Sequence, residues 1–198
     1  MTDSDVPPAP RDRPRHHPEK AVSIGMLIAA PKMGDPNFDR AVVLICQHDE
    51  HGAVGLVINR EGPASVGDVL EKLEIDPALP YPSPTWLGGP VRPGTGFVLW
   101  RGNVDPDEGW NVGDGIAVSP SAERLSSLAG HGTPFALCLG YAGWSPGQLD
   151  AEVQSGAWLF IDVDDRIVFD HPMDERYEAA LAQLGLTAAT IVMTPGDA

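Results

Sequence analysis

The chain has little of what would make its chemistry obvious. Two cysteines occur, Cys46 and Cys138, each inside an apolar run. That excludes a disulfide framework and a cysteine-built metal site, and it suits core packing in a reducing compartment. No apolar run approaches the ~18 residues of a membrane-spanning helix, and the N-terminus lacks the apolar stretch of a secretory signal. The expected location is the cytoplasm, with no membrane partner. Basic residues are few: 13 Lys and Arg stand against 28 Asp and Glu, for a net charge of −15. Such a surface repels phosphate backbones, so nucleic acid is a disfavoured partner. There is no P-loop, no dinucleotide fingerprint and no internal repeat, and no cofactor is expected.

What is abundant is proline (20) and glycine (22). The first twenty residues are Pro-rich and polar and cannot bury enough surface to order themselves, which predicts a disordered tail over 1–20 and one domain over 21–198. Within the domain, Met26 to Ala30 and Ala41 to Cys46 are continuous apolar runs, the pattern of strands covered on both faces. Asp35-Pro36 between them reads as a helix start, with Asp as N-cap and Pro at the first helical position. Val54 to Asn59 returns as the second strand of a hairpin. Ser65 caps a helix carrying Val66, Val69, Leu70 and Leu73 on one face, and Asp76 to Pro84 is a loop. Short strands follow at Thr85–Leu87, Gly96–Arg101 and Ile116–Val118, with Asn103 to Gly115 a polar loop. Ser119-Pro120 opens a helix that Gly130 closes. Phe135 to Leu139 is a buried strand, Gly140 to Gly143 a turn, and Pro146 to Gln154 a helix. Ala157–Val163 and Arg166–Phe169 form a second hairpin. A helix runs from Pro172 to Leu184, and Thr187 to Met193 is a terminal strand. Strands alternating with isolated helices, and two antiparallel hairpins, give an α+β fold with a mixed, largely antiparallel sheet covered by short helices.

Three long motifs stand out. Gly25 to Arg60 reads G-x-L-I-A-x-P-x-x-x-D-P-x-F-x-R followed by H-x-x-x-G-x-x-G-L-V-I-N-R. Gly88-Gly89-Pro90-Val91 and Leu139 to Leu149 (LGYAGWSPGQL) come later. In that order they resemble the AlgH/YqgE-like family of bacterial proteins, from Gly25 to the C-terminus. The resemblance implies an AlgH-like fold and, through the family's name, a role in transcriptional regulation. Trp100 stands where the family segment has His.

Several constellations suggest chemistry. Gly143-Trp144-Ser145-Pro146-Gly147 matches G-x-S-x-G, the nucleophile elbow. The elbow needs a backbone N–H after the nucleophile, and Pro146 has none. The S-x-x-Q spacing instead makes Ser145 an N-cap with Gln148 as its capping-box partner. His48-Asp49-Glu50-His51 and Asp162, Asp164 and Asp165 carry metal-ligand types but no closed ligand set, so they read as turns. Gly88 and Gly89 permit positive φ or close backbone approach. Tyr141 and Trp144 are an amphipathic wall or the packing beneath a turn. Asp35 is a cap, and Arg40 is placed to bind a carboxylate or carbonyl in the core. The resulting expectation is a non-catalytic regulatory or binding protein that takes a protein partner or a small ligand at Asp35, Arg40, Gly88, Gly89, Tyr141, Trp144, Ser145 and Gln148. A small serine hydrolase using Ser145, and a nucleic-acid-associated regulator, are the alternatives.

Overall fold

The two apolar runs near the start of the chain become neighbouring strands covered on both sides. The structure, a computed structural model, describes residues 24–31 and 33–189. In it, β1 (Met26–Ala29) lies antiparallel to β2 (Val42–Asp49). Alternate side chains of a strand point to opposite faces. Met26, Ile28, Val42, Leu44 and Cys46 accordingly join one hydrophobic cluster, while Leu27, Ala29, Val43 and Ile45 join a second. β3 (Gly52–Val57) completes the expected hairpin with β2.

No helix forms at Asp35. Its side chain accepts from the Asn37 N–H at 2.8 Å and its carbonyl accepts from the Phe38 N–H at 2.9 Å, which closes a turn. Asp-Pro opens a tight turn as readily as a helix, and β2 begins too soon afterwards for a helix to nucleate.

The remaining strands are β4 (Glu61–Ser65), β5 (Pro84–Leu87), β6 (Val91–Arg101), β7 (Trp110–Val112), β8 (Ile116–Ser119), β9 (Ala136–Trp144) and β10 (Trp158–Ile161). They extend the sheet in the order β10-β1-β2-β3-β9-β6-β8-β7, with β4 on β5 and β5 on β9. Among the described residues β5–β9 is the parallel pair and the other pairs are antiparallel. The architecture is the expected α+β one.

The seam of the sheet is β9, and here the expected order fails. Gly140 to Gly143 is not a turn: the strand runs on to Trp144. Gly140, at φ +73°, bends it without ending it, and the facing β6 slips register between Val91 and Gly96. The first half of β9 therefore pairs with β5 and β6, and the second half with β3 and, at Tyr141, with Val91 of β6.

Phe97, Leu99, Ile116 and Val118 from β6 and β8 share the first cluster with β1 and β2. The sheet must curl to bring them together, and Trp110 Nε1 on β7 donates to Gln47 Oε1 on β2 across the gap at 3.2 Å. β7 itself lies inside the segment expected as a loop.

Helices cover what the curl leaves open. α1 (Val66–Lys72) has the expected Ser65 cap, strengthened by a reciprocal bond from the Ser65 N–H to Asp68. α2 (Ala122–Gly130) is capped by Ser121 rather than Ser119, which ends β8 and donates its hydroxyl to the Glu108 carbonyl. These two helices pack on Val98, Trp100 and Ala117 in a third cluster. Trp100 is thus core, with the Arg124 guanidinium 5.7 Å from its ring. α3 (Gln148–Gln154) closes the second cluster through Leu149.

The second hairpin does not form. β10 pairs with β1 instead, and 165–169 is helical. Asp164 caps that helix, α4 (Asp165–Phe169), and cap chemistry overrides the β-branched character of Ile167 and Val168. α5 (Arg176–Gln183) starts later than Pro172 and buries Tyr177 and Leu181. The tail over 1–20 lies outside the described residues. So does most of the expected terminal strand; 187–189 are described and are not strand.

Asp164 also supplies a pH test. Its carboxylate is held by Arg166 Nη2 at 2.8 Å, the Arg166 N–H at 3.0 Å and Gln183 Nε2 at 2.7 Å. The Arg166 side chain chiefly holds its pKa below the usual carboxylate value. A lowered folded pKa stabilises above the unfolded value, and that contribution disappears as pH falls through the folded one. Asp164→Asn is expected to be less stable than wild type at neutral pH in urea titrations. The gap should narrow from about pH 4 downward and close below the folded pKa.

Candidate functional site

The residues singled out from sequence divide among several places. Asp35 closes its turn. Arg40 is exposed, with its Nη2 donating to Glu178 Oε1 at 3.0 Å and its guanidinium 4.6 Å over the Tyr177 ring. It does bind a carboxylate, but on the surface, where it latches the turn to α5. The core position expected for it is incorrect, because its left-handed backbone (φ +51°) sits in the exposed turn ahead of β2.

Gly88 and Gly89 are close-approach glycines. The Gly88 N–H donates to the Leu139 carbonyl and its own carbonyl accepts from the Val57 N–H, both at 2.8 Å. A Cβ on Gly88 would lie 2.3 Å from the Gly140 oxygen, and one on Gly89 2.2 Å from the Tyr141 carbonyl carbon. The pair exists so that three strands can meet.

Trp144 is buried, stacked 6.3 Å from Phe38 and edge-on to Trp158 at 6.0 Å. Its Nε1 and that of Trp158 both donate to Glu152 Oε2, at 2.9 and 2.8 Å. Tyr141 is half-buried and edge-on to Phe97 at 5.9 Å. Both aromatics pack rather than project from a turn.

Ser145 is not the N-cap. Gly147 is, at φ +71°, without a side-chain cap bond. A turn from the Ser145 carbonyl to the Gln148 N–H (3.0 Å) intervenes, so only the return half of the capping box forms, from the Ser145 N–H to Gln148 Oε1 at 3.0 Å. The Ser145 hydroxyl is thereby left to an open hollow of about 490 Å³ that Tyr141, Trp144, Asp49 and His51 also line. His51 is exposed there, with its Nε2 3.7 Å from Glu50. Gly89 lines a separate hollow of about 120 Å³, and Asp35 and Arg40 line neither.

The metal-like motifs also disperse. The His48 side chain is buried and faces Asp150 of α3 at 3.3 Å. Asp162, Asp164 and Asp165 line an open hollow together with Arg166 and Gln183, two groups that already hold Asp164. Among the described residues no group of three His, Cys, Asp or Glu is arranged to hold a metal. Cys46 and Cys138 lie in the first cluster, and burial pushes the Cys46 thiol up to about 12 and raises Cys138 as well. A chromogenic disulfide reagent at pH 8 should therefore find no fast thiol in the folded protein and two after denaturation.

Another recess is lined by residues outside the candidate set. A hollow of about 410 Å³ lies where β5, β6 and the start of β9 meet α4 and α5. Trp86, Phe135, Phe169 and Val66 give it apolar walls, and Arg101 and Arg176 are its charged members. Arg176, the first residue of α5, is only 5% exposed. Its guanidinium lies 4.3 Å over the Trp86 ring. Nε donates to the His171 carbonyl at 3.1 Å and Nη1 to the Ile58 carbonyl. Among the described residues no carboxylate pairs with it and Nη2 donates to nothing. Burial pushes its pKa down to about 10, which leaves it cationic at neutral pH. Arg101 differs: Asp165 and Asp170 each hold it at 2.8 Å. One signal for Arg176 was available in the sequence. A cation in the first turn opposes the helix dipole, so an Arg beside the buried Tyr177 needs another reason to be there.

Comparison with known proteins covers the same span. An AlgH-like family model matches residues 26–189. A UPF0301 protein of Photobacterium profundum is 39% identical over 180 residues, covering 87% of this chain and 96% of its own. One from Ruegeria pomeroyi is 41% identical over 181 residues, with 87% and 97% covered. The solution structure of the AlgH protein from Pseudomonas aeruginosa superposes with a TM-score of 0.70 at 38% identity, over 91% of this chain and all of that one. A Corynebacterium diphtheriae protein gives the same TM-score at 21% identity, over 84% and 89%, and so speaks to the fold alone. With relatives matched almost end to end and the family's motifs built into the β3–β5–β9 junction, the chain belongs to the AlgH-like family.

Proposed function

We propose that the protein is a non-catalytic binding protein, regulatory in role, that holds a small ligand in the Arg176–Trp86 hollow. The composition of that hollow carries the reading. Its volume of about 410 Å³ falls within the range of ligand sites, and aromatic walls with a few placed polar groups are how such sites are made. Its titratable lining groups are two arginines. A guanidinium holds and orients an anion but does not shuttle protons near neutral pH. The unpaired buried thiols favour a reducing, cytoplasmic setting. No helix among the described residues is long and apolar enough to cross a membrane.

A serine hydrolase is the second reading, because the Ser145 hydroxyl and the His51 imidazole line one hollow. Pro146 weighs against it by removing a needed donor, as does the exposure of His51. The net charge of −15 weighs against a nucleic-acid partner.

The test is a fragment screen on the full chain labelled with 15N, using neutral and anionic aromatic fragments. Binders should shift the amides of Trp86, Phe135, Phe169 and Arg176, and ester turnover should not change in Ser145→Ala. A screen in which no fragment moves those amides, or turnover that vanishes in Ser145→Ala, overturns the reading.

A further inference from the structure

The chain has 28 acidic residues, yet among the described residues its most buried arginine has no carboxylate partner. A buried charge is tolerated when it is paired and hydrogen-bonded, and carbonyls supply only part of that. Trp86 covers one face of the Arg176 guanidinium, and two carbonyls take Nε and one Nη1 hydrogen. What remains is the other Nη1 hydrogen and both on Nη2. A pair of parallel N–H donors of this kind matches the two oxygens of a carboxylate.

The surroundings narrow the ligand. Arg101 is already neutralised by Asp165 and Asp170, which hold two carboxylates against a residue of the hollow's lining. Together with the overall charge of −15 they raise the cost of bringing in a dianion. A singly charged group meets less repulsion. The Trp86, Phe135 and Phe169 rings leave room for an apolar body beyond the charged head.

Resting on the binding reading above, we propose that the hollow receives an organic monocarboxylate, its carboxylate on the free edge of Arg176 and its apolar body against Trp86, Phe135 and Phe169. The carboxylate belongs either to a free acid or to the C-terminus of a peptide, since both present the same planar pair of oxygens.

Calorimetric titration of the full chain with four probes tests this: 3-phenylpropionate, its amide, phenyl phosphate, and N-acetyl-Gly-Phe with a free C-terminus. The acid is expected to bind at least about tenfold more tightly than the amide, as charge-assisted hydrogen bonds require. Arg176→Lys should weaken the acid by about tenfold and leave the amide unchanged, a split that a purely structural arginine would not give. The acid–amide comparison on wild type stands even if that variant fails to fold. Tighter binding of the dipeptide assigns the carboxylate to a peptide end, and tighter binding of 3-phenylpropionate assigns it to a free acid; either supports the proposal. Equal binding of acid and amide overturns it and leaves a binding protein with an apolar pocket. Phenyl phosphate binding more tightly than both carboxylates overturns it in favour of a phosphate. If neutral fragments shift the hollow's amides but neither carboxylate binds, the proposal fails alone. If no fragment binds there, the binding reading fails with it.

Discussion

Gly89→Ala is expected to lower stability by about 3 kcal/mol or more, the combined effect of overpacking and positive-φ strain. Gly89 has φ +151°, a backbone conformation that L side chains rarely adopt. An added Cβ would lie 2.2 to 2.5 Å from the carbonyl carbon and oxygen of Tyr141 and the nitrogen of Ala142. These are backbone atoms of β9 in mid-sheet, so no flexible side chain can move aside. The gap cannot widen without separating β9 from its neighbours, since the adjacent Gly88 is bonded to Leu139 and Val57. Gly94→Ala is the control, because a Cβ there meets nothing within 4 Å. It should stay within about 0.5 kcal/mol of wild type. Urea midpoints compare the two, and equal midpoints would show that the junction is not tightly packed.

Trp158→Ala should cost a similar amount, about 3–5 kcal/mol by the usual range for a fully buried Trp. Trp158 is 2% exposed and edge-on to both Phe38 (5.4 Å) and Trp144 (6.0 Å). Its loss opens a cavity under β1 and β2 and leaves Glu152 with one indole donor instead of two. Glu152→Ala tests the polar part separately. It keeps the rings and strips a partner from two indole N–H groups, for about 1–3 kcal/mol. Thermal melts of both variants measure the difference. A Trp158→Ala loss no larger than that of Glu152→Ala would mean that the ring packing contributes little.

The sequence made legible whatever rests on local patterning. Unbroken apolar runs marked the strands that face two cores, and Ser65 marked its helix because Val66, Val69, Leu70 and Leu73 follow the cap at one-face spacing. Gly88 and Gly89 were recognisable as close-approach residues. The failures share a cause, which is that the deciding partner lay far away in the chain. Gly140 to Gly143 has turn composition, but pairing with β3 and β6 holds it extended. Ile167 and Val168 have strand composition, but β10 had already paired with β1. Ser145 met the spacing of a capping box, yet Pro146 and Gly147 inserted a turn before the helix. The candidate site was hidden for the same reason. Arg176 and Trp86 are far apart in sequence and meet only when α5 docks beside β5, and only the dipole-opposing position of Arg176 hinted at its use.

Arg176 itself offers the most direct check on the claim that a buried, uncompensated guanidinium is the heart of this protein's binding surface. The side-chain Nε–Hε and Nη–Hη resonances can be followed in 15N-labelled full-length chain as 3-phenylpropionate is added. The Arg176 Hη signals are expected to move downfield and sharpen as the carboxylate stops rotation of the fork, with the Trp86 indole N–H shifting in step. Arg176 signals that stay fixed while the acid binds and perturbs other residues would contradict the claim.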